Sequence, residues 1–285
     1  MKDDVGIGII GKGFVGNAVY NGFSAQTGFN SNIYIYDKDP LKSLNTLEEV
    51  VSNSDFIFIS VPTPSNPDGS VNTDNIHNVI SDINKTKDKE NSIILVRSTV
   101  VPGTTGRIAE EFPELNIVFN PEFLTERSAN LDFISQTRIV LGGPSEIVAK
   151  VGKLYKSRFG QSMPIITTDY KTAELIKYMN NTFFAAKVSF MNDMYKLSES
   201  IGASWEDAVE GFIRDGRIGH SHTQVPGPDN KFGFGGSCFP KDTRALLHFA
   251  QSIDVDLNVL EGAWKTNLEV RPEKDWENLK GRSVL

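Results

Sequence analysis

Six short runs of aliphatic and β-branched residues constrain the fold of this chain more than any other feature. They are VGIGII (5–10), NIYIY (32–36), DFIFISV (55–61), SIILV (92–96), NIVF (116–119) and RIVLGG (138–143). Each is nearly continuously apolar, the pattern of a strand covered on both faces. Helical patterns such as FVGNAVYNGF, DNIHNVISDI and SEIVAKVGKLY lie between them. Strands alternating with helices predict βαβ units and an α/β fold with a doubly wound parallel sheet. The character changes near Asp169. From there to about Ile201 the chain reads as one long helix, ending at Gly202. Two more helices start at Pro240 and near Leu257, after a Gly/Pro-rich loop at 226–236. A boundary near residue 168 is therefore expected, with a nucleotide-binding domain over 1–168 and an all-α domain over 169–285.

The totals exclude several classes. A chain of 285 residues is long enough for a substantial core, and a formal charge of −7 supplies no basic field for nucleic acid. The single cysteine rules out an internal disulfide framework and suits a reducing compartment. The start, MKDDVGIGIIG, carries acidic residues where a signal peptide has basic ones. No apolar stretch approaches the ~20 residues that span a bilayer. The expectation is a cytoplasmic protein with no membrane and no nucleic-acid partner.

The first strand runs into a G-x-G-x-x-G pattern in two registers, Gly6/Gly8/Gly11 and Gly11/Gly13/Gly16. The fingerprint works only after a strand and at the mouth of a helix, where free N–H groups and the helix dipole meet a pyrophosphate. The first register leaves almost no strand ahead of it. The second follows VGIGII and opens FVGNAVYNGF, so it is the functional one, and the sheet is Rossmann-like. Asp37 ends the next strand 21 residues beyond Gly16, near the ~20-residue offset of a ribose-binding carboxylate. Such a carboxylate bonds the 2′-hydroxyl and repels a 2′-phosphate, which favours NAD over NADP. The plainer alternative is a surface aspartate in a turn.

Later segments carry candidate chemistry. In AELIKYMNNTF, Lys177 and Asn181 stand four apart on one helix face. A buried ammonium beside an amide donor stabilises a developing alkoxide; the alternative is a solvated lysine with an asparagine neighbour. In NPEFLTERSANLD, Glu122 and Glu126 are also four apart and share a face if that turn is helical. Paired carboxylates accept protons or position water, although exposed glutamates are common. In FGFGGSCFPKD the only cysteine, Cys238, follows Gly233, Gly235 and Gly236 and precedes a helix start with Lys241 and Asp242. Glycines let backbone approach a ligand, and a helix start with a lysine nearby favours the thiolate. The alternative is a buried small hydrophobe. His220 and His222 lie in a loop with no further ligands in a metal-binding arrangement, so no metal site is expected.

Taken in order, IIGKGFVG, ISVPTP, VRSTVVPGTT, NPEFLTERSA followed by RIVLG, AELIKYMNNT, GRIG and GFGGSCFPKD resemble the motifs of the UDP-glucose/GDP-mannose dehydrogenase family. The resemblance runs from the first strand to TNLEVRP near 270, and GFGGSCFPKD is its most specific part. It implies an NAD-binding domain followed by a helical dimerisation domain with a long central helix, and a homodimer. The implied reaction is NAD-dependent oxidation of a nucleotide sugar, by the form of GFGGSCFPKD UDP-glucose, at C6 to a uronic acid of the kind used in polysaccharide biosynthesis. An alcohol is oxidised to an aldehyde, the Cys238 thiolate adds to it, and the thiohemiacetal gives a second hydride. Water then hydrolyses the thioester. By resemblance Lys177 and Asn181 stabilise the oxyanions, and Asp242 moves protons with the lysine and a water. Thr99, Glu122 and Glu126 surround the reacting carbon, Glu126 assisting hydrolysis. NAD contacts fall at Gly11, Gly13, Phe14, Val15, Gly16, Asp37, Lys42, Thr63, Thr99 and Lys241. The sugar falls to Glu122, Phe123, Leu124, Lys177, Asn181, Phe232 and Gly235, with Arg217 reaching in from the neighbouring subunit.

Two departures follow from the same resemblance. The segment HSHTQVPGPDNKF is longer than the family norm, and the chain ends at WENLKGRSVL, where members continue into another α/β domain that binds the base. A C-terminal domain or a partner chain is thus expected to supply base recognition. Two alternatives remain. One is a two-electron dehydrogenase of the β-hydroxyacid type, which also carries a Lys/Asn helix but has no use for Cys238. The other is a non-catalytic truncated homologue, which should show decay at Lys177, Asn181, Cys238 or Asp242.

Overall fold

The computed structural model describes residues 5–86 and 92–285. The chain divides into two compact units, Met1–Thr63 with Thr73–Lys177, and Pro64–Asn72 with Tyr178–Leu285.

In the first unit, strands β1 (Val5–Ile10), β2 (Ser31–Tyr36), β3 (Phe56–Ile59), β4 (Ile93–Val96), β5 (Asn116–Phe119), β6 (Ile139–Gly142) and β7 (Ile165–Thr168) form one sheet. Their order is β2-β1-β3-β4-β5-β6-β7, parallel except at β5–β6, which meet antiparallel through Phe119 and Gly142. The expected parallel sheet therefore needs one correction. The β5–β6 connection carries only a short helix and returns along the sheet without a full crossover, which reverses the strand. Strand β7 was not expected; it is short and half exposed, so its apolar signal is weak.

Alternation along the strands builds a core on each face. Ile7, Ile9, Phe56, Phe58, Ile93, Leu95, Val118, Ile139 and Leu141 point to one face. There they meet α1 (Phe14–Phe23), α5 (Ala129–Ile134) and α6 (Ser145–Phe159) through Val19, Phe23, Phe133, Val151 and Tyr155. Ile10, Ile57, Ile59, Ile94, Val96, Ile117, Phe119 and Val140 point to the other. They pack on α2 (Leu47–Asn53), α3 (Asp74–Asn84) and α4 (Thr104–Glu111) through Val50, Ile76, Ile80 and Ile108. Both faces are dry, which is why the strand sequences show little polar alternation. Gly8, in the discarded glycine register, serves packing: a Cβ there would lie 2.8 Å from Val50 Cγ1 of α2.

Helix α7 (Tyr170–Ile201) runs from the first unit into the second. The division at Lys177 falls inside the helix, whose first turns pack on the second core through Ala173 and Ile176. The second unit adds α8 (Trp205–Ile213), α9 (Phe239–Gln251) and α10 (Asn258–Val270). Helix α8 was not expected, although Ser204 caps it by accepting the Asp207 N–H at 3.3 Å. Pro64–Asn72 joins this unit because Ser65 bridges to Val71 and Val284.

Candidate active site

In the first unit, the β1–α1 turn is shaped for close approach. Gly11 has φ +90, and a Cβ on Gly16 would sit 2.0 Å from the Gly11 carbonyl oxygen. Gly13 is the N-cap of α1 and supplies no side-chain acceptor to the first turn. A Cβ on Gly13 would meet nothing within 4 Å. Phe14 and Val15 begin the helix half-buried. Asp37 follows β2; its Oδ2 accepts the Lys12 N–H at 2.6 Å and its Oδ1 the Asp39 N–H at 2.8 Å. These bonds orient the carboxylate and leave further lone pairs for a ribose diol. Lys42 is exposed and pairs with Asp39 at 3.5 Å. Thr63 and Thr99 are buried past the carboxyl ends of β3 and β4, where ligands bind in such sheets, and the Thr63 hydroxyl donates to the Thr99 carbonyl at 2.9 Å. The tight turn, glycine-capped helix start and oriented carboxylate fit a dinucleotide.

The same unit holds a buried ion pair. The Lys177 ammonium donates to the Glu122 carbonyl at 2.5 Å and to its Oε1 at 2.9 Å, with the side chains 3% and 7% exposed. Glu122 Oε2 accepts the Leu124 N–H at 2.7 Å. The Phe123 ring centroid is 5.5 Å from Lys177 Nζ and 4.2 Å from the Arg138 guanidinium carbon. The conditional pairing of Glu122 with Glu126 on one helix face does not occur. Pro121–Thr125 is non-helical, and Glu126 is exposed in a short 3-10 turn. It lines a cavity with Phe14 and Asn17 of α1.

Beneath this pair lies a network that residue patterns did not reveal. Arg97 Nη1 donates to Asn120 Oδ1 at 2.8 Å and to the Tyr155 hydroxyl at 3.2 Å. Asn120 Nδ2 donates to the Val140 carbonyl at 3.0 Å. Burial pushes the Tyr155 pKa up, against the opposing pull of Arg97. The network joins the end of β4, which leads to Thr99, to Asn120, two residues before Glu122.

In the second unit, Cys238 is the half-buried N-cap of α9, with the Ser237 hydroxyl 3.7 Å from its sulfur. Pro240 in the first turn suits a helix start. Asp242, 1% exposed, accepts from Asn181 Nδ2 at 2.6 Å through Oδ2 and from Lys241 Nζ at 2.6 Å through Oδ1. Lys241 is thus bound to its neighbouring carboxylate. The loop before Cys238 is clamped from three sides. Asn192 accepts the Gly233 N–H at 3.1 Å, and Asn267 accepts the Phe234 N–H at 2.7 Å and donates back to its carbonyl at 3.0 Å. Arg271, 2% exposed, donates to Asp229 at 2.7 Å, to Asp275 at 2.7 and 2.9 Å, and to the Phe232 carbonyl at 3.3 Å. Burial opposes the Arg271 charge, but the two carboxylates outweigh it and lift its pKa above the ordinary value. Gly235 has no room for a Cβ, which would lie 2.4 Å from the Arg271 guanidinium. Phe232 packs on Tyr195, ring centroids 5.5 Å apart.

Two further residues of this unit are accounted for. Arg217 is exposed and pairs with Asp215 through Nε at 2.9 Å. The His222 ring stacks on Phe184 at 4.2 Å, and burial, then Lys187, lowers its pKa. Among the described residues no group of three or more His, Cys, Asp or Glu could hold a metal ion, and no helix is long and apolar enough to cross a membrane.

Comparison with known proteins places these clusters in context. The sequence profile of the NAD binding domain of the UDP-glucose/GDP-mannose dehydrogenase family matches residues 35–158, and that of the family's central domain matches 171–269. A UDP-glucose 6-dehydrogenase of Rickettsia prowazekii is 37% identical over 242 residues, which is 83% of this chain and 54% of its own length. The chain thus spans about half the length of the curated relatives it matches. A UDP-glucose dehydrogenase of the hyperthermophilic archaeon Pyrobaculum islandicum superposes with a TM-score of 0.81 at 28% identity, covering 93% of this chain and 68% of that one. A 3-hydroxyisobutyrate dehydrogenase of Mycobacterium tuberculosis reaches a TM-score of 0.73 over 95% of this chain and 94% of its own, but at 15% identity the likeness is one of fold alone. With both profiles matched in sequence order, the chain belongs to the UDP-glucose/GDP-mannose dehydrogenase family and carries its NAD-binding and central domains.

Proposed function

We propose that the chain carries the reacting half of an NAD-dependent nucleotide-sugar 6-dehydrogenase, with UDP-glucose as substrate. The observation that carries this reading is Cys238, a half-exposed thiol at a helix N-terminus behind a loop clamped by Asn192, Asn267 and Arg271. A two-electron hydroxyacid dehydrogenase has no step for such a group, whereas oxidation of an aldehyde to an acid proceeds from a tetrahedral adduct that a thiolate can form.

NAD, held by the Gly11–Gly16 turn with Asp37, Thr63 and Thr99, would accept a hydride in each oxidation. Lys177 and Asn181 stabilise the alkoxide at C6, each already fixed by a buried carboxylate, Glu122 or Asp242. The Cys238 sulfur bonds to C6 of the aldehyde, and loss of hydride from that carbon leaves the thioester. Water then cleaves the C–S bond, releasing the uronate and the thiol, with Asp242 and Glu126 handling the protons. Phe123, Leu124, Phe232 and Gly235 line the sugar side, and Lys42 and Lys241 contribute to the cofactor side.

A homodimer fits an apolar stripe on α7. Met179, Phe183, Phe190, Met194, Leu197 and Ile201 recur at helical spacing and are 37% to 69% exposed. A second copy would cover this face and bring its Arg217 toward the sugar. A cytoplasmic location and a further domain or chain for the base complete the proposal.

The test is NADH formation from UDP-glucose, GDP-mannose and UDP-N-acetylmannosamine under identical conditions. The proposal expects UDP-glucose to be turned over fastest. Turnover of 3-hydroxyisobutyrate but of no nucleotide sugar would replace it with the two-electron reading.

A further inference from the structure

Glu174 is a buried acid that the chemistry above does not use. It lies on α7, 0% exposed, and its carboxylate reaches the start of α4. Oε2 accepts the Gly103 N–H at 2.5 Å and Oε1 accepts the Thr105 N–H at 2.7 Å. Gly103 is the N-cap of α4, with φ +94 and no side chain to satisfy the first turn. Glu174 therefore supplies, from another helix, the acceptor that this helix start lacks, and its negative charge meets the positive end of the α4 dipole.

Its position gives this cap a second consequence. Lys177 follows one helical turn later on α7, and Thr99 precedes Gly103 by four residues. One carboxylate thus ties the helix that presents Lys177 to the loop that presents Thr99. We propose that Glu174 is a positioning residue: it sets the register of α7 against α4 so that Lys177 reaches the Glu122 carbonyl and carboxylate. That this matters for catalysis rests on the reading of Lys177 and Thr99 given under the proposed function.

Burial raises the Glu174 pKa from its ordinary value, against the two amides and Arg107. Arg107 of α4 and Tyr170 of α7 face the carboxylate electrostatically, and Lys171 of α7 approaches Gly103. A raised folded pKa means stability that is fully present below the unfolded pKa and lost as pH rises through the folded one. Glu174→Gln should loosen the clamp, since an amide has one oxygen where the carboxylate has two and cannot accept both N–H groups.

The experiment labels this chain with an amine-reactive ester and measures, by peptide mass spectrometry, the rate at Lys177 relative to exposed Lys150. Glu174→Gln should raise that ratio about fivefold, the effect of roughly one lost hydrogen bond. Thr105→Pro deletes one donor at a helix position that tolerates proline and should raise the ratio likewise; it serves if Glu174→Gln does not fold. Ile108→Val, in the same core face, should leave it unchanged. An unchanged ratio in the clamp variants, or an equal rise in Ile108→Val, overturns the proposal. The readout needs no turnover, so loss of the dehydrogenase reading and loss of this one are separate results.

Discussion

Replacing Arg271 with methionine should loosen the second unit in a pH-dependent way. The side chain is 2% exposed and bridges Asp229 and Asp275, whose side chains are 33% and 32% exposed. Breaking a fully buried pair by removing one partner costs about 3–5 kcal/mol, and an exposed pair about 0–1 kcal/mol. With the cation buried and both anions a third in water, the expected loss at neutral pH is about 2–4 kcal/mol. Burial works against the Asp229 charge but Arg271 outweighs it, and the Arg271 bond leads at Asp275, so both carboxyl pKa values lie below the ordinary range. A depressed folded pKa gives stability that is present above the unfolded value of about 3.9 and lost as pH falls through the folded one. The difference between wild type and Arg271→Met should therefore be full at neutral pH and shrink as pH falls below about 4. Urea unfolding followed by tryptophan fluorescence reads this unit alone, because Trp205, Trp264 and Trp276 all lie in it. A neutral-pH loss under about 1 kcal/mol, or a loss that does not shrink in acid, would refute the reasoning.

Two predictions concern the nucleotide turn. Gly16→Ala puts a methyl 2.0 Å from a backbone oxygen that cannot rotate away, so NAD affinity by calorimetry should fall at least tenfold, in line with an overpacking cost of about 1–3 kcal/mol. Unchanged affinity would show that this turn does not hold the cofactor. Asp37→Ala should narrow the preference for NAD over NADP by roughly tenfold, about 1.4 kcal/mol of lost bonding and repulsion. A preference that stays put would place ribose recognition elsewhere.

Strand β3, with Phe56 and Phe58 on one face and Ile57 and Ile59 on the other, shows why the sheet was legible: both faces are buried, so the run is apolar throughout. The long helix was equally plain, since Asp169 and Gly202 bracket it and its apolar spacing is helical. Strand β7 escaped because Ile166 is 41% exposed at the sheet edge. The bridge from Ser65 to Val284, which carries Pro64–Asn72 into the second unit, joins residues far apart in sequence and leaves no local signature. Among site residues, the β1–α1 glycines declare themselves because their reason is local backbone geometry. Lys177 and Asp242 declare themselves as residue types, but their buried ion pairs with Glu122 and Lys241 do not. Glu174, Arg97 and Arg271 act through long-range bonds in the folded chain, and composition or spacing alone says nothing of them.

The central claim is that Cys238 is a nucleophile in a four-electron oxidation. The most direct test is NADH released per UDP-glucose at limiting sugar and excess NAD, for wild type and for Cys238→Ala. The account predicts two NADH per sugar for wild type, with the variant unable to complete the second oxidation. One NADH per sugar from both proteins, or two from the variant, would contradict it.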